Sequence, residues 1–486
     1  AENKRAPYFT AAGQLGYARF VMEYGDFKTA EREFARIIEW FPESPLIPDA
    51  QFGMAEASLK AGRFKNAMNG FNLFLANFPS SALAQRAEAL LNEAMKRHDE
   101  AEKTSHQIAE APEEPARRRI RAAQVMFFKG RTIEAVDREM ENLKDSGIDT
   151  VIVRVFHNPG DRFYPLSRPK ARSGVYFRTN ESPVVDDILA GIASSAHRNG
   201  LKVFAWMTTR YADYGVSDKD GYKCRAYDIT EKRLTACKGL DLFNEDAVKR
   251  LERMFSDLSE YEIDGVLFQD DLILRHNEGF GEHAARLFKE EKGVRLEPKG
   301  LYMISGPRKK VEYTELFWHW AKWKNKRLLD VAGRLKAAVR EKRPEARFAL
   351  NLMYESITNP VYALAWLSQD IKTAKKAGFD YYSIMAYHRQ IGAELDKDRQ
   401  AVKGIIEKMA GDAEAIVGDP ESVLFKFQTI DWATGASLPE AEVTGLMSGI
   451  AGLKRFSVAV VPYRPDFPFK SITGSDELAY AGTGLK

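Results

Sequence analysis

Asp264-Gly265-Val266-Leu267-Phe268-Gln269-Asp270-Asp271 is the stretch from which the fold of this chain is read. A short apolar run is followed at once by a glutamine and two acids. That is the pattern of a buried strand whose C-terminal end opens onto a polar site. Seven further runs of β-branched and aromatic residues resemble it: Ala122–Phe128, Thr150–Phe156, Lys202–Thr208, Arg347–Tyr354, Tyr381–Tyr387, Val423–Ile430 and Phe456–Tyr463. Between them lie amphipathic stretches such as Thr132–Lys144, Val184–Arg198, Glu245–Glu260 and Trp366–Ala377. Strands that alternate with helices predict parallel βα units. The expected fold class is therefore α/β, a (β/α)8 TIM-type barrel over residues 121–470. A doubly wound open sheet is the competing arrangement, but no glycine-rich phosphate turn follows the first strand.

In such a barrel, function sits where the strands end. The second strand leads to His157 and Asp161, and the third to Trp206 and Arg210. The fourth ends in Asp270 and Asp271, the fifth in Tyr354 and Glu355, and the sixth in Tyr387 and His388. Gln428, Asp431 and Trp432 close the seventh, and Tyr463 the eighth. Acids, amides and flat aromatic rings gathered on one rim make a carbohydrate-like inventory. Cleaving a glycosidic bond takes one carboxyl to protonate the leaving oxygen and a second to attack or to activate water. Asp270, Asp271 and Glu355 are the candidate catalytic set, with Glu355 the preferred donor. Consecutive aspartates cannot both point inward, because side chains alternate along a strand. Strand-end acids also cap helices or pair with arginine, and Asp-Asp, Glu355 and His157 or His388 are chemically able to hold a divalent cation. No tight His-rich spacing is present, so neither metal nor cofactor is expected. Trp432, placed beyond a strand end, is the best stacking candidate, whereas Trp318, Trp320 and Trp323 fall in a helical run and read as packing residues.

The first hundred residues follow another period. Gly25-Asp26-Phe27, Ala30, Phe34, Phe41 and Pro42 recur 37 residues later as Gly62-Arg63-Phe64, Ala67, Phe71, Phe78 and Pro79. Each unit reads as two amphipathic helices, with Pro42 and Pro79 ending the second. The pattern resembles a tetratricopeptide repeat, whose usual period is about 34 residues. The expected organisation is helical repeats over 1–105, a linker or bridging helix over 106–120, the barrel over 121–470 and a tail over 471–486. Such repeats suit either a protein partner in an envelope assembly or a structural cap.

The 486 residues are 44% hydrophobic and 29% charged, enough for sizeable cores, and the net charge of +3 is dispersed. Nothing forms a nucleic-acid stripe, and no run approaches the roughly 20 apolar residues of a transmembrane segment. The two cysteines, Cys224 and Cys237, stand 13 residues apart and outside any CxxC pair. A disulfide closing one loop, which implies an oxidising compartment, and two free thiols both fit. The start, Ala1-Glu2-Asn3, fits a mature end after signal-peptide removal and equally a trimmed chain.

Thr150–Pro159, Val175-Tyr176-Phe177, Lys202–Met207, Asp264–Asp271 and Phe427–Trp432 resemble one family in particular. It is the C-terminal glycoside hydrolase domain of the periplasmic poly-β-1,6-N-acetyl-D-glucosamine N-deacetylases. The Phe-x-Asp-Asp element is the most specific part. The resemblance implies cleavage of a partly deacetylated exopolysaccharide of biofilms by Asp270, Asp271 and Glu355. It also implies a glucosamine-binding groove with Asp431 and Trp432, and a periplasmic or secreted location. Those relatives carry a metal-dependent deacetylase domain where this chain has helical repeats, so deacetylation is not expected. The rival expectation is a non-catalytic barrel that binds or guides polysaccharide while the repeats recruit a protein.

Overall fold

The computed structural model describes residues 10–104, 119–217, 221–305, 310–450, 452–465 and 467. All but the end of the expected connecting segment, and the expected tail, lie outside the described residues. The chain divides into two compact units, one of residues 1–115 with 297–321 and one of residues 116–296 with 322–486.

The first unit is helical. Its helices are α1 (Ala11–Tyr24), α2 (Phe27–Trp40), α3 (Ile47–Lys60), α4 (Phe64–Asn77) and α5 (Ala84–Thr104). The repeat seen in the sequence is a repeat of structure, since α2 and α4 start and stop 37 residues apart. Thr10 and Asp26 cap α1 and α2 by accepting from the backbone N–H groups of Gly13 and Thr29 at 3.0 and 3.1 Å. Gly25 and Gly62, equivalent in the repeat, both turn the chain with positive φ (90° and 73°), a conformation that a side chain would strain. Phe34 and Ala30 are wholly buried on α2, and a Cβ at Gly53 of α3 would meet the Phe34 ring at 2.5 Å. A glycine there lets the aromatic ring fill the space between helices. Residues 297–321 add a hairpin, Tyr302–Ser305 paired with Lys310–Tyr313. The following helix, Glu315–Arg340, brings Trp318 to stack on Phe20 at 4.1 Å. Trp318, Trp320 and Trp323 are all buried, as packing residues should be.

The second unit contains the barrel. Eight parallel strands close in sequence order: β1 (Arg121–Val125), β2 (Thr150–Arg154), β3 (Lys202–Met207), β4 (Gly265–Phe268), β5 (Arg347–Leu352), β6 (Tyr381–Met385), β7 (Val423–Gln428) and β8 (Ser457–Val461). β8 closes the ring on β1, with Ala122 opposite Ala459. All eight expected strands are present, and every one stops one to three residues before its expected end. The ladder ends where the chain turns outward, so Gln269, Asp270, Tyr387 and Ile430 stand on the rim rather than in the sheet. The helix expected over Trp366–Ala377 is instead two, Pro360–Leu367 and Ile371–Lys376, parted at Ser368, which has φ 51°. After β3 an antiparallel hairpin, Lys223–Asp228 with Arg233–Leu240, is closed by a disulfide between Cys224 and Cys237. No helix among the described residues is long and apolar enough to cross a membrane.

Phe34 sets the spacing of the repeat helices, so Phe34→Ala should lower stability by about 3–5 kcal/mol through loss of burial and the cavity left behind. Denaturant unfolding followed by far-UV circular dichroism measures it.

Candidate active site

Alternation along the chain sends the two aspartates after β4 to different places. Asp271 is buried, and its carboxylate accepts from four donors. The hydroxyls of Thr208 and Thr209 lie at 2.6 and 2.7 Å, and the backbone N–H groups of Thr209 and Tyr211 at 2.9 and 2.7 Å. All four belong to the segment leaving β3. Asp271 therefore ties two strand ends together, and its lone pairs are occupied.

Asp270 is only partly enclosed. Burial raises its pKa most, the ammonium of Lys426 opposes this, Asp271 adds to it and Lys238 opposes it again. Lys426 lies in β7, in the apolar run Val423-Leu424-Phe425-Lys426-Phe427-Gln428. Its Nζ donates to Gln124 Oε1 of β1 at 3.2 Å and lies 5.9 Å from the Tyr387 ring centre. Burial pushes the Lys426 ammonium down to about 8, against the pull of Asp270. The phenol of Tyr387 is itself driven up by burial and by the charge of Asp270. Asp270, Lys426 and Tyr387 thus share one electrostatic neighbourhood.

Glu355 opens the short helix Glu355–Thr358 after β5. Burial raises its pKa, a backbone hydrogen bond opposes the rise, and Glu394 adds to it. Glu394 accepts the Tyr354 hydroxyl at 2.9 Å. The two raised acids consequently have unlike company: a cation beside Asp270 and an anion beside Glu355.

Beyond β6 and β7 a cavity of about 870 Å³ is lined by His388, Gln428, Asp431 and Trp432, with Arg389 and Glu442. Trp432 is 38% exposed and tilts against Tyr387 at 5.4 Å. Glu442 accepts from Arg389 Nε at 2.7 Å and from Arg399 Nη2 at 3.0 Å, and pairs with His388 Nε2 at 3.0 Å. Arg389 above all holds the Glu442 carboxyl down to about 2. Asp431 pairs with the same guanidinium at 3.2 Å, and Gln428 accepts from the backbone N–H of Arg389.

The other candidates are placed inward. Arg210 is fully buried and donates to the Lys238 carbonyl at 2.7 Å and to Glu278 at 3.0 Å, holding the disulfide hairpin. His157 is buried, stacked on Phe163 at 3.9 Å and bonded to the Tyr176 hydroxyl at 2.8 Å. Burial and then Arg154 lower its pKa. Asp161 is taken by Arg154 at 3.1 Å, Tyr463 packs against Phe128, and the Trp206 indole N–H donates to Gln269. The acids and histidines do not gather as metal ligands: no group of three or more suited to a metal occurs among the described residues. Lys426, Glu394, Arg389 and Glu442 were not expected. Only Lys426 carried a signal, as a lone cation inside a continuous apolar strand.

Residues 130–459 match the family model described as hypothetical glycosyl hydrolase family 13. The chain belongs to this family. The eight-stranded barrel also resembles the PgaB (BpsB) glycoside hydrolase domain from Bordetella bronchiseptica. That likeness has a TM-score of 0.56 at 19% identity and covers 75% of this chain and 98% of that one. The catalytic domain of β-amylase from Paenibacillus polymyxa aligns with a TM-score of 0.46 at 12% identity, over 74% of this chain and 96% of that one. β-Galactosidase from Marinomonas ef1 aligns with 0.47 at 13% identity, over 75% and 60%. None of the curated proteins matches the chain. The barrel fold is thus shared with the PgaB (BpsB) glycoside hydrolase domain.

Removing the Asp271 carboxylate would strand four donors in a buried place. Asp271→Ala should lower stability by about 3 kcal/mol or more, and Asp271→Asn by less because one acceptor oxygen remains. The guanidinium chloride midpoint reads both.

Proposed function

We propose that this chain is an endo-acting glycoside hydrolase of a partly deacetylated poly-β-1,6-N-acetylglucosamine-like exopolysaccharide. The observation that carries the reading is the contrast between Asp270 and Glu355. Both carboxyls are raised by burial, but Lys426 favours the ionised form of Asp270, while Glu394 favours the protonated form of Glu355. Both carboxyls move the same way, so the roles are assigned from their unlike neighbours. A nearby cation favours the ionised form and a nearby anion the protonated one. Glu355 is the proton donor to the leaving oxygen, and Asp270 is the carboxylate that meets the anomeric carbon or its water. Asp271 serves the same site by holding the ends of β3 and β4 together. Trp432 and Tyr387 offer faces for sugar rings, and the cavity bordered by Asp431 and Glu442 extends the groove. The resemblance to the deacetylase-linked hydrolases supports the amino-sugar substrate, and the Cys224–Cys237 disulfide supports a periplasmic or secreted setting. Docking of the helical repeats to an envelope protein belongs to the same proposal.

The test is incubation with partly deacetylated poly-β-1,6-N-acetylglucosamine and counting of new reducing ends. Asp270→Asn and Glu355→Gln should each cut turnover by about 10²–10⁴-fold without loss of thermal stability. Wild-type turnover in either variant removes that residue from the mechanism. Retention of polymer without new ends from the wild-type chain turns the reading to a binding barrel. The pH profile tests the assignment further. Glu394→Gln removes an anion beside Glu355, so its proton leaves more easily and the alkaline limb should move to lower pH. Lys426→Met removes the cation beside Asp270, which then protonates sooner as pH falls, so the acid limb should move to higher pH.

A further inference from the structure

The helix Pro360–Leu367 follows Glu355 and is apolar along its length, yet it leaves Tyr362 42% and Trp366 37% exposed. Four residues apart, they share one helix face, and their rings lie nearly parallel, 21° apart in plane with centres at 5.7 Å. His276, from the loop after β4, stacks on Trp366 at 4.1 Å and 25°. Burial first, then Lys324 and Arg275, push the His276 imidazole down to about 4, so it is neutral at physiological pH and backs Trp366 as an uncharged flat ring. Three rings from two rim segments thus form a ledge open to solvent. Its outer phenol lies within electrostatic reach of Glu355 and Glu394, whose charges add to burial in raising the Tyr362 pKa. In the chain, the helix that carries the ledge directly follows the short helix opened by the candidate proton donor. Two neighbouring exposed rings on one helix face, backed by a third, present a flat surface on which a ligand's apolar face can lie.

We propose that Tyr362 and Trp366 form a sugar-stacking subsite that carries the pyranose rings of the polymer on the leaving-group side of the cleaved bond. The occupant follows from shape and charge. A β-linked pyranose presents a flat face of C–H groups that lies on an aromatic ring. Its hydroxyls and any free ammonium groups then fall towards the carboxylates at the edge of the ledge. Because the leaving oxygen is the one Glu355 protonates, the sugars beyond it pass over the helix that Glu355 precedes. This assignment of side rests on the hydrolase reading of Glu355.

The experiment compares the full chain with its Tyr362→Ala, Trp366→Ala and doubly substituted forms on the polymer, by initial rates, and by retention of each on immobilised polymer in the Glu355→Gln background. The double variant should raise KM and weaken retention by about tenfold, with kcat and melting temperature unchanged. Tyr362→Phe, which keeps the ring, should behave as wild type. A double variant with wild-type KM and retention overturns the subsite, even when cleavage itself proceeds as proposed. If the wild-type chain cleaves nothing, the hydrolase reading falls, and retention with and without the rings still decides the ledge. If the double variant unfolds, Tyr362→Ala alone decides, because its half-exposed ring contributes little to the core. Pull-down of a protein that competes with no polymer, with retention unchanged, assigns the rings to a protein interface and overturns the proposal.

Discussion

The carboxylate of Asp271 sits in a nearly water-free position, where an ionised acid survives only if hydrogen bonds replace its hydration. Thr208, Thr209 and Tyr211 supply those bonds, two from hydroxyls and two from backbone N–H groups. Because all the donors come from the segment after β3, the interaction holds that segment against the end of β4. The rim of the barrel takes its shape there. Asp270, one residue earlier, makes none of these bonds and feels the charge of Lys426. The two acids still feel each other, since Asp271 adds to the raised pKa of Asp270, while Lys426 works against that rise.

Lys426 is the counterpart of this arrangement inside the barrel. A buried ammonium is costly, and its lowered pKa records that cost, yet Gln124 accepts a hydrogen bond from it and Asp270 answers its charge. Glu355 lies in the opposite situation, with Glu394 beside it and no lysine among the groups that shift it. A cation thus acts on Asp270 alongside the anion Asp271, whereas only an anion, Glu394, is among the charges that shift Glu355. The ion-paired cluster of Arg389, Arg399, Glu442 and Asp431 plays a different part. Its charges satisfy one another, so it stiffens the wall of the adjoining cavity.

The helical unit solves the same problem of apolar burial by other means. Phe34, Phe71 and Phe74 fill the space between helices, and glycine at position 53 admits the ring that a larger residue would displace. Equivalent glycines at 25 and 62 turn the chain at equal intervals, so one packing solution serves twice.

Periodicity is a local property, and what depends on it was legible in the chain alone. The 37-residue repeat, the eight strands and the placement of acids at strand ends all follow from side chains alternating every two residues or recurring every 3.6. Asp270 and Glu355 were visible for the same reason. What the sequence could not show is which groups meet across strands far apart in the chain. Lys426 finds Gln124 across 302 positions, and Glu442 finds Arg389 across 53. Neither distance leaves a mark in spacing or composition. Arg210 and Asp271 looked like open polar groups at strand ends, and only closure of the barrel buried them among their partners. Whether Cys224 and Cys237 join was equally undecided until the hairpin paired and brought their Cα atoms to 5.1 Å. Local pattern determined the elements and the rim. Three-dimensional packing alone decided which carboxylate has a cation beside it, which has an anion, and which is consumed in holding the strands.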